Sequence, residues 1–168
     1  MRKLEEVMQQ MEEISYGWLD IYDNKHINTI DQLTKLYRVS SPEEVLKNKI
    51  GICFDQVELE RKLFELDYET QSYAIFNHLM AHSFLILHKE DDYIYFEHSS
   101  PQSKGIYHFS KEEEALEYAT QRFKENYHIK ADKKVDLVPY SPLEQGTTFQ
   151  EIKDIVYYEK EKREGSHK

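Results

Sequence analysis

The chain holds one cysteine, Cys53, so it closes no internal disulfide, and a lone thiol is either a small buried hydrophobe or a side chain kept for its chemistry. The surroundings favour chemistry. Gly51-Ile52-Cys53 leads into Val57, Leu59, Leu63, Phe64 and Leu66, a spacing that predicts a helix with the thiol at its N-terminus. The positive end of the helix dipole and the unpaired N–H groups there stabilise a thiolate. The same N–H groups can bind the oxyanion of a tetrahedral intermediate. Downstream, His82 opens an alternating run to Leu87, and Glu97 closes another that begins at Tyr93; both are predicted strands. With Glu90-Asp91-Asp92 as the turn, Glu97, 15 residues after His82, falls beside it on the adjacent strand. There a carboxylate orients an imidazole and stabilises the imidazolium. Cys53 as nucleophile, His82 as base and Glu97 as orienting acid make up a nucleophilic triad.

Other residues compete for these roles. His98 adjoins Glu97, but alternation sends the two to opposite faces, so one alone can reach His82; Glu97 has the better chemistry for orienting a ring. His78 and His108 have no comparable placement. His78-Leu79-Met80-Ala81-His82 has the spacing of a helical zinc pair. Leu79, however, stands where the general-base Glu would be, and the segment reads as strand and loop. No metal or cofactor is expected. Tyr16 and Trp18 are candidates for a pocket wall or an oxyanion donor, with core packing the expected role of both. Glu112 to Glu114 read as a solvated first helical turn.

These side chains need elements to hold them. Leu4, Val7, Met8, Met11 and Ile14 recur at helical spacing and predict an amphipathic opening helix, and the apolar pattern of Trp18 to Tyr22 predicts a second helical piece or an ordered turn. Ile30 to Tyr37 reads as a short helix. Ser41-Pro42-Glu43-Glu44 is a helix start, with serine as cap, proline in the first turn and acids at the positive end; that helix runs to about Leu46. Strands are predicted over Thr70 to Phe76, His82 to Leu87, Tyr93 to Phe96 and Ile106 to Phe109, as an antiparallel meander, with an edge strand at Val135 to Val138. Ser110-Lys111-Glu112-Glu113 and Thr148-Phe149-Gln150-Glu151 each read as a capping box. The first opens a helix to about Tyr127 and the second a helix through Tyr158. The expected organisation is one domain over residues 1–158 and a disordered tail over 159–168.

Composition narrows the function classes. A length of 168 residues suits one domain, and 39% hydrophobic residues, with 13 Tyr and 8 Phe, suffice for a core. A formal charge of -10, without a concentrated basic face, argues against nucleic acid as partner. The charged opening MRKLEEVMQQMEE and the lack of a long apolar run predict no membrane association and a cytoplasmic location. The expected partner is a protein or peptide. The sequence sets no oligomeric state.

Three stretches, Gly51-Ile52-Cys53-Phe54-Asp55, Ala81-His82-Ser83-Phe84 and Tyr95-Phe96-Glu97, resemble the transglutaminase-like superfamily over roughly residues 49 to 100. The chain departs from that pattern in having Glu97 where the family usually has Asp, and Tyr95-Phe96 where a tryptophan often precedes the acid. The resemblance implies an α+β fold with an antiparallel sheet packed against helices, a core shared with cysteine proteinases, and acyl transfer from an amide as the chemical step. Since the family includes crosslinkers, peptidases, amidases and inactive members, the alternative is a domain that keeps the fold and binds a protein partner through its acidic, tyrosine-rich surface.

Overall fold

The computed structural model describes residues 2–165. In chain order the elements are α1 (Arg2–Met11), β1 (Gly17–Asp20), β2 (Lys25–Ile27), α2 (Leu33–Leu36), β3 (Tyr37–Arg38), α3 (Pro42–Asn48) and α4 (Cys53–Phe64). The second half holds β4 (Glu69–Phe76), β5 (Ala81–Lys89), β6 (Asp92–Glu97), β7 (Gly105–Phe109), α5 (Glu112–Asn126), β8 (Asp136–Tyr140) and α6 (Phe149–Gly165). Among the described residues these make a mixed α+β fold with two antiparallel sheets: three strands in the order β2-β1-β3, and five in the order β7-β6-β5-β4-β8.

The meander β4 to β7 follows the alternation of the sequence, and β8 forms the edge beyond β4 by pairing Val138 with Ala74. Between β5 and β6 the chain reverses after the pair Lys89–Asp92, with Glu90 at φ 55 in the left-handed region that tight turns use. Ser41 caps α3 as predicted: its hydroxyl accepts from the Glu44 N–H at 3.1 Å, and the Glu44 carboxylate accepts from the Ser41 N–H at 3.0 Å.

Four local readings need correction. Trp18 to Tyr22 is not helical, because β1 is buried on every residue and so offers no alternation to distinguish it; Trp18 stacks on its cross-strand partner His26 at 3.9 Å. The helix read over Ile30 to Tyr37 shrinks to α2, and Tyr37 passes into β3. Ser110 does not cap α5: its hydroxyl donates to Glu114, 3.0 Å away, and the helix begins at Glu112. At the other end of the chain, α6 continues past Tyr158 to Gly165.

Two layers cover the five-stranded sheet. Tyr73, Ile75, Phe84, Ile86 and Tyr95 pack under Ala115, Ala119 and Phe123 of α5. On the opposite face Leu85, Leu87, Ile94 and Phe96 meet Val57, Leu59 and Phe64 of α4 and the apolar stripe of α1. A third cluster joins Trp18, Tyr37, Ile52 and Phe54 to Ala74, Val138 and Tyr140 of the sheet and to Ile152 of α6. Enclosed in this way, α4 has no solvent side before its last turn, where Lys62 is exposed. Asp55, Gln56, Glu58, Glu60 and Arg61 are buried along with its apolar residues, where a helix with one apolar stripe would leave them in water. Among the described residues no helix is long and apolar enough to cross a membrane.

Candidate active site

Cys53 is the first residue of α4, and Ile52 before it is extended, so the chain turns into the helix at the thiol. Side chains of the first helical turn build that turn. The Asp55 carboxylate accepts from the Ile52 N–H at 3.0 Å, and its other oxygen accepts from the Ser40 N–H at 2.9 Å and the Tyr37 hydroxyl at 2.7 Å. The acid at the third helical position thus satisfies a free N–H and ties the helix start to the segment after β3. Burial pushes Asp55 up to about 7 against those three hydrogen bonds. Gly51 allows this packing: a Cβ there would lie 3.0 Å from the Asp55 Cβ and 3.4 Å from the Gln56 Cγ.

His82 and Glu97 come from the sheet. His82 stands at the start of β5 and Glu97 at the end of β6, so both lie at the end of the sheet that the start of α4 approaches. His82 Nε2 sits 2.5 Å from Glu97 Oε1. Glu97, 2% exposed, is further held by the Tyr95 hydroxyl at 2.8 Å and by the Ser99 hydroxyl and Ser100 N–H at 3.3 Å. Cys53 neighbours the His82 ring and acts on its charge, and Nε2 of that ring is taken by Glu97. The three predicted residues are therefore brought together, from two layers of the fold.

The electrostatics favour a charged pair. Burial opposes the His82 cation, but the Glu97 carboxylate and the hydrogen bonds to Cys53 and Glu97 outweigh it and hold the imidazole well above the usual histidine value. Burial likewise opposes ionisation of Glu97, and His82, Tyr95 and the Ser100 N–H overcome it, so the carboxylate stays below its usual range. A cavity of about 10 Å³, the size of one water, lies against His82, Glu97 and Tyr95 under α5.

His98 goes to the opposite side of β6, where its Nδ1 is 2.7 Å from Gln56 Oε1. His78 lies in the turn between β4 and β5, apart from the strand start that holds His82, and His108 pairs with Asp92 at the far end of the sheet. Trp18 is fully buried, and its indole N–H donates to the Thr29 carbonyl at 2.9 Å, as a core residue would. Tyr16 differs from the core expectation. It is 36% exposed, and burial raises its hydroxyl, with Cys53, Tyr127 and Asp55 adding to the effect.

Tyr127, just past the end of α5, interacts with His82, Cys53 and Glu97 and is 37% exposed. The thiol itself is half-buried. Sequence reasoning took Tyr127 only as a helix end, and it missed Asp55 and Gln56. The signal for those two was available: polar residues in the first turn after a helix-starting thiol, in a helix whose later turns must be central. No protein-family model, curated protein or solved structure matches this chain.

Proposed function

We propose that the protein is a cysteine-dependent acyl-transfer enzyme of transglutaminase-like kind, acting on the amide of a protein or peptide. The observation that carries the reading is the lone thiol at the start of α4 beside an imidazole that a buried carboxylate binds. The Cys53 thiolate attacks the amide carbonyl carbon; the C–S bond forms and the carbonyl electrons move to oxygen, facing the N–H groups at the helix start. The intermediate collapses as the C–N bond breaks, and the His82 imidazolium gives its proton to the leaving amine. Water or a second amine then attacks the thioester, losing its proton to His82, and Cys53 leaves. Hydrolysis or transamidation results, according to the acceptor. Glu97 holds the ring in place and stabilises its cation throughout.

Thiol reactivity tests the reading without a known substrate. Alkylation of Cys53 by iodoacetamide should remain rapid at about pH 6, where an ordinary thiol is almost wholly protonated, and His82→Ala should slow it at that pH by at least about tenfold. Equal rates in the two proteins, with the steep rise toward alkaline pH of a free thiol, would point instead to a binding domain.

A further inference from the structure

Gln56 lies in the first turn of α4, three residues past Cys53, and is buried. Both ends of its amide are occupied. Nε2 donates to the Gly51 carbonyl at 2.8 Å, and Oε1 lies 2.7 Å from His98 Nδ1. A backbone carbonyl can only accept, so the amide nitrogen must face Gly51 and the amide oxygen His98; that in turn places a proton on His98 Nδ1. The other ring nitrogen, Nε2, faces Glu12 at 3.9 Å, and Glu12 is paired with Lys104 at 2.6 Å.

The two groups that Gln56 joins are adjacent to the triad in sequence. Gly51 is two residues before Cys53, and His98 directly follows Glu97. Cys53 belongs to the helix on one face of the sheet, whereas Tyr95, Phe84 and the carboxylate of Glu97 belong to the other, beneath α5. Layer packing alone would leave the separation of thiol and imidazole free to drift, and a misplacement on the order of 1 Å can cost about a hundredfold in rate. We propose that Gln56 and His98 form a positioning clamp, resting on the catalytic reading above, that sets the Cys53 thiol against the His82–Glu97 pair. Neither touches a reacting atom. Asp55 holds the Ile52 peptide toward β3 while Gln56 holds the Gly51 carbonyl toward β6, so the approach to the nucleophile is fixed from both sides.

The test is the pH profile of Cys53 alkylation by iodoacetamide in the full chain, with thermal unfolding measured beside it. Gln56→Met keeps the length and removes both hydrogen bonds; His98→Ala removes the donor; His98→Asn keeps an N–H near the place of Nδ1. With the clamp, Gln56→Met and His98→Ala slow alkylation about tenfold at about pH 6 and by less than about twofold at about pH 9. His98→Asn stays near the unaltered protein. Simple loosening of the fold would instead raise reactivity at every pH. Should Gln56→Met fail to fold, the contrast between His98→Ala and His98→Asn decides alone. An unaltered pH profile in Gln56→Met and His98→Ala, with the unaltered protein reactive at about pH 6, overturns the clamp and leaves the catalytic reading standing. An unaltered protein that is itself unreactive at that pH overturns both.

Discussion

Glu97 supplies the negative charge that keeps the His82 ring protonated in a place where burial alone would strip it of its proton. Glu97→Gln preserves the shape and a hydrogen-bonding oxygen but removes that charge. The imidazole titration of His82, followed by NMR, should therefore move to lower pH in this variant. Alkylation of Cys53 at about pH 6 should fall on the order of 10- to 100-fold with little change in fold. An unshifted His82 resonance would show that the carboxylate does not set the charge of the ring. Gly51 acts on the same site through space alone. In Gly51→Ala the new methyl meets the Asp55 and Gln56 side chains at 3.0 and 3.4 Å, so the helix start must shift. A loss of about 1–3 kcal/mol in denaturant unfolding is expected, together with slower alkylation.

At the scale of elements, α4 matters most, because it carries Cys53 at its start while packed between the sheet, α1 and α3. Two of its buried charged residues pair within the helix and reach the sheet. Arg61 pairs with Glu58 at 3.2 Å and reaches the Ser72 hydroxyl of β4 at 2.5 Å; that hydroxyl in turn donates to the Tyr140 carbonyl of β8 at 2.8 Å. The network fastens the helix to the sheet and fixes where its N-terminus stands. Truncating Arg61 leaves Glu58 and Ser72 buried with their partner gone. Arg61→Ala should therefore cost about 3–5 kcal/mol, whereas Arg61→Leu combined with Glu58→Leu should recover much of the loss. Urea unfolding of the single and double variants measures the difference, and additive losses would refute the account.

The whole molecule responds to pH through groups of opposite sign. Burial lifts Glu60 well above the usual carboxylate range, with Glu97 and Cys53 adding to the effect and His82 opposing it, and lifts Asp55 to about 7. Both bind a proton more tightly folded than unfolded. Their contribution is complete below the ordinary values, 3.8 for Asp55 and 4.5 for Glu60, and is lost as pH rises through the folded values. Glu97, held below 4.5, contributes above that pH and loses its contribution as pH falls. His82, held well above 6.5, contributes fully below 6.5 and loses its contribution as pH climbs through its folded value. Above 4.5 Glu97 and His82 add nothing further while Asp55 and Glu60 both lose, so the joint contribution of these four groups should peak at about pH 4 and decline toward neutral pH. Glu60→Gln should raise Tm at about pH 8 while changing it little at about pH 4.5, a contrast that calorimetry at the two pH values reads directly. A uniform shift at both would mean that packing, not ionisation, governs the position.

The sequence by itself determined what short-range physics controls. The start of α4 at Cys53, the caps of α3 and α6, and the meander from β4 to β6 follow from periodicity, turn chemistry and alternation, and alternation also separated Glu97 from His98. It misread β1, since a strand buried on both faces has no alternation to show, and Ser110, whose hydroxyl found a side chain instead of the backbone. Only the tertiary structure decided the rest. That α4 is enclosed up to its last turn, that Gln56 meets His98, and that Tyr127 lines a cavity with His82 and Glu97 all depend on which layers pack together. Residues far apart in the chain make those contacts, and hydrophobic periodicity carries no record of them.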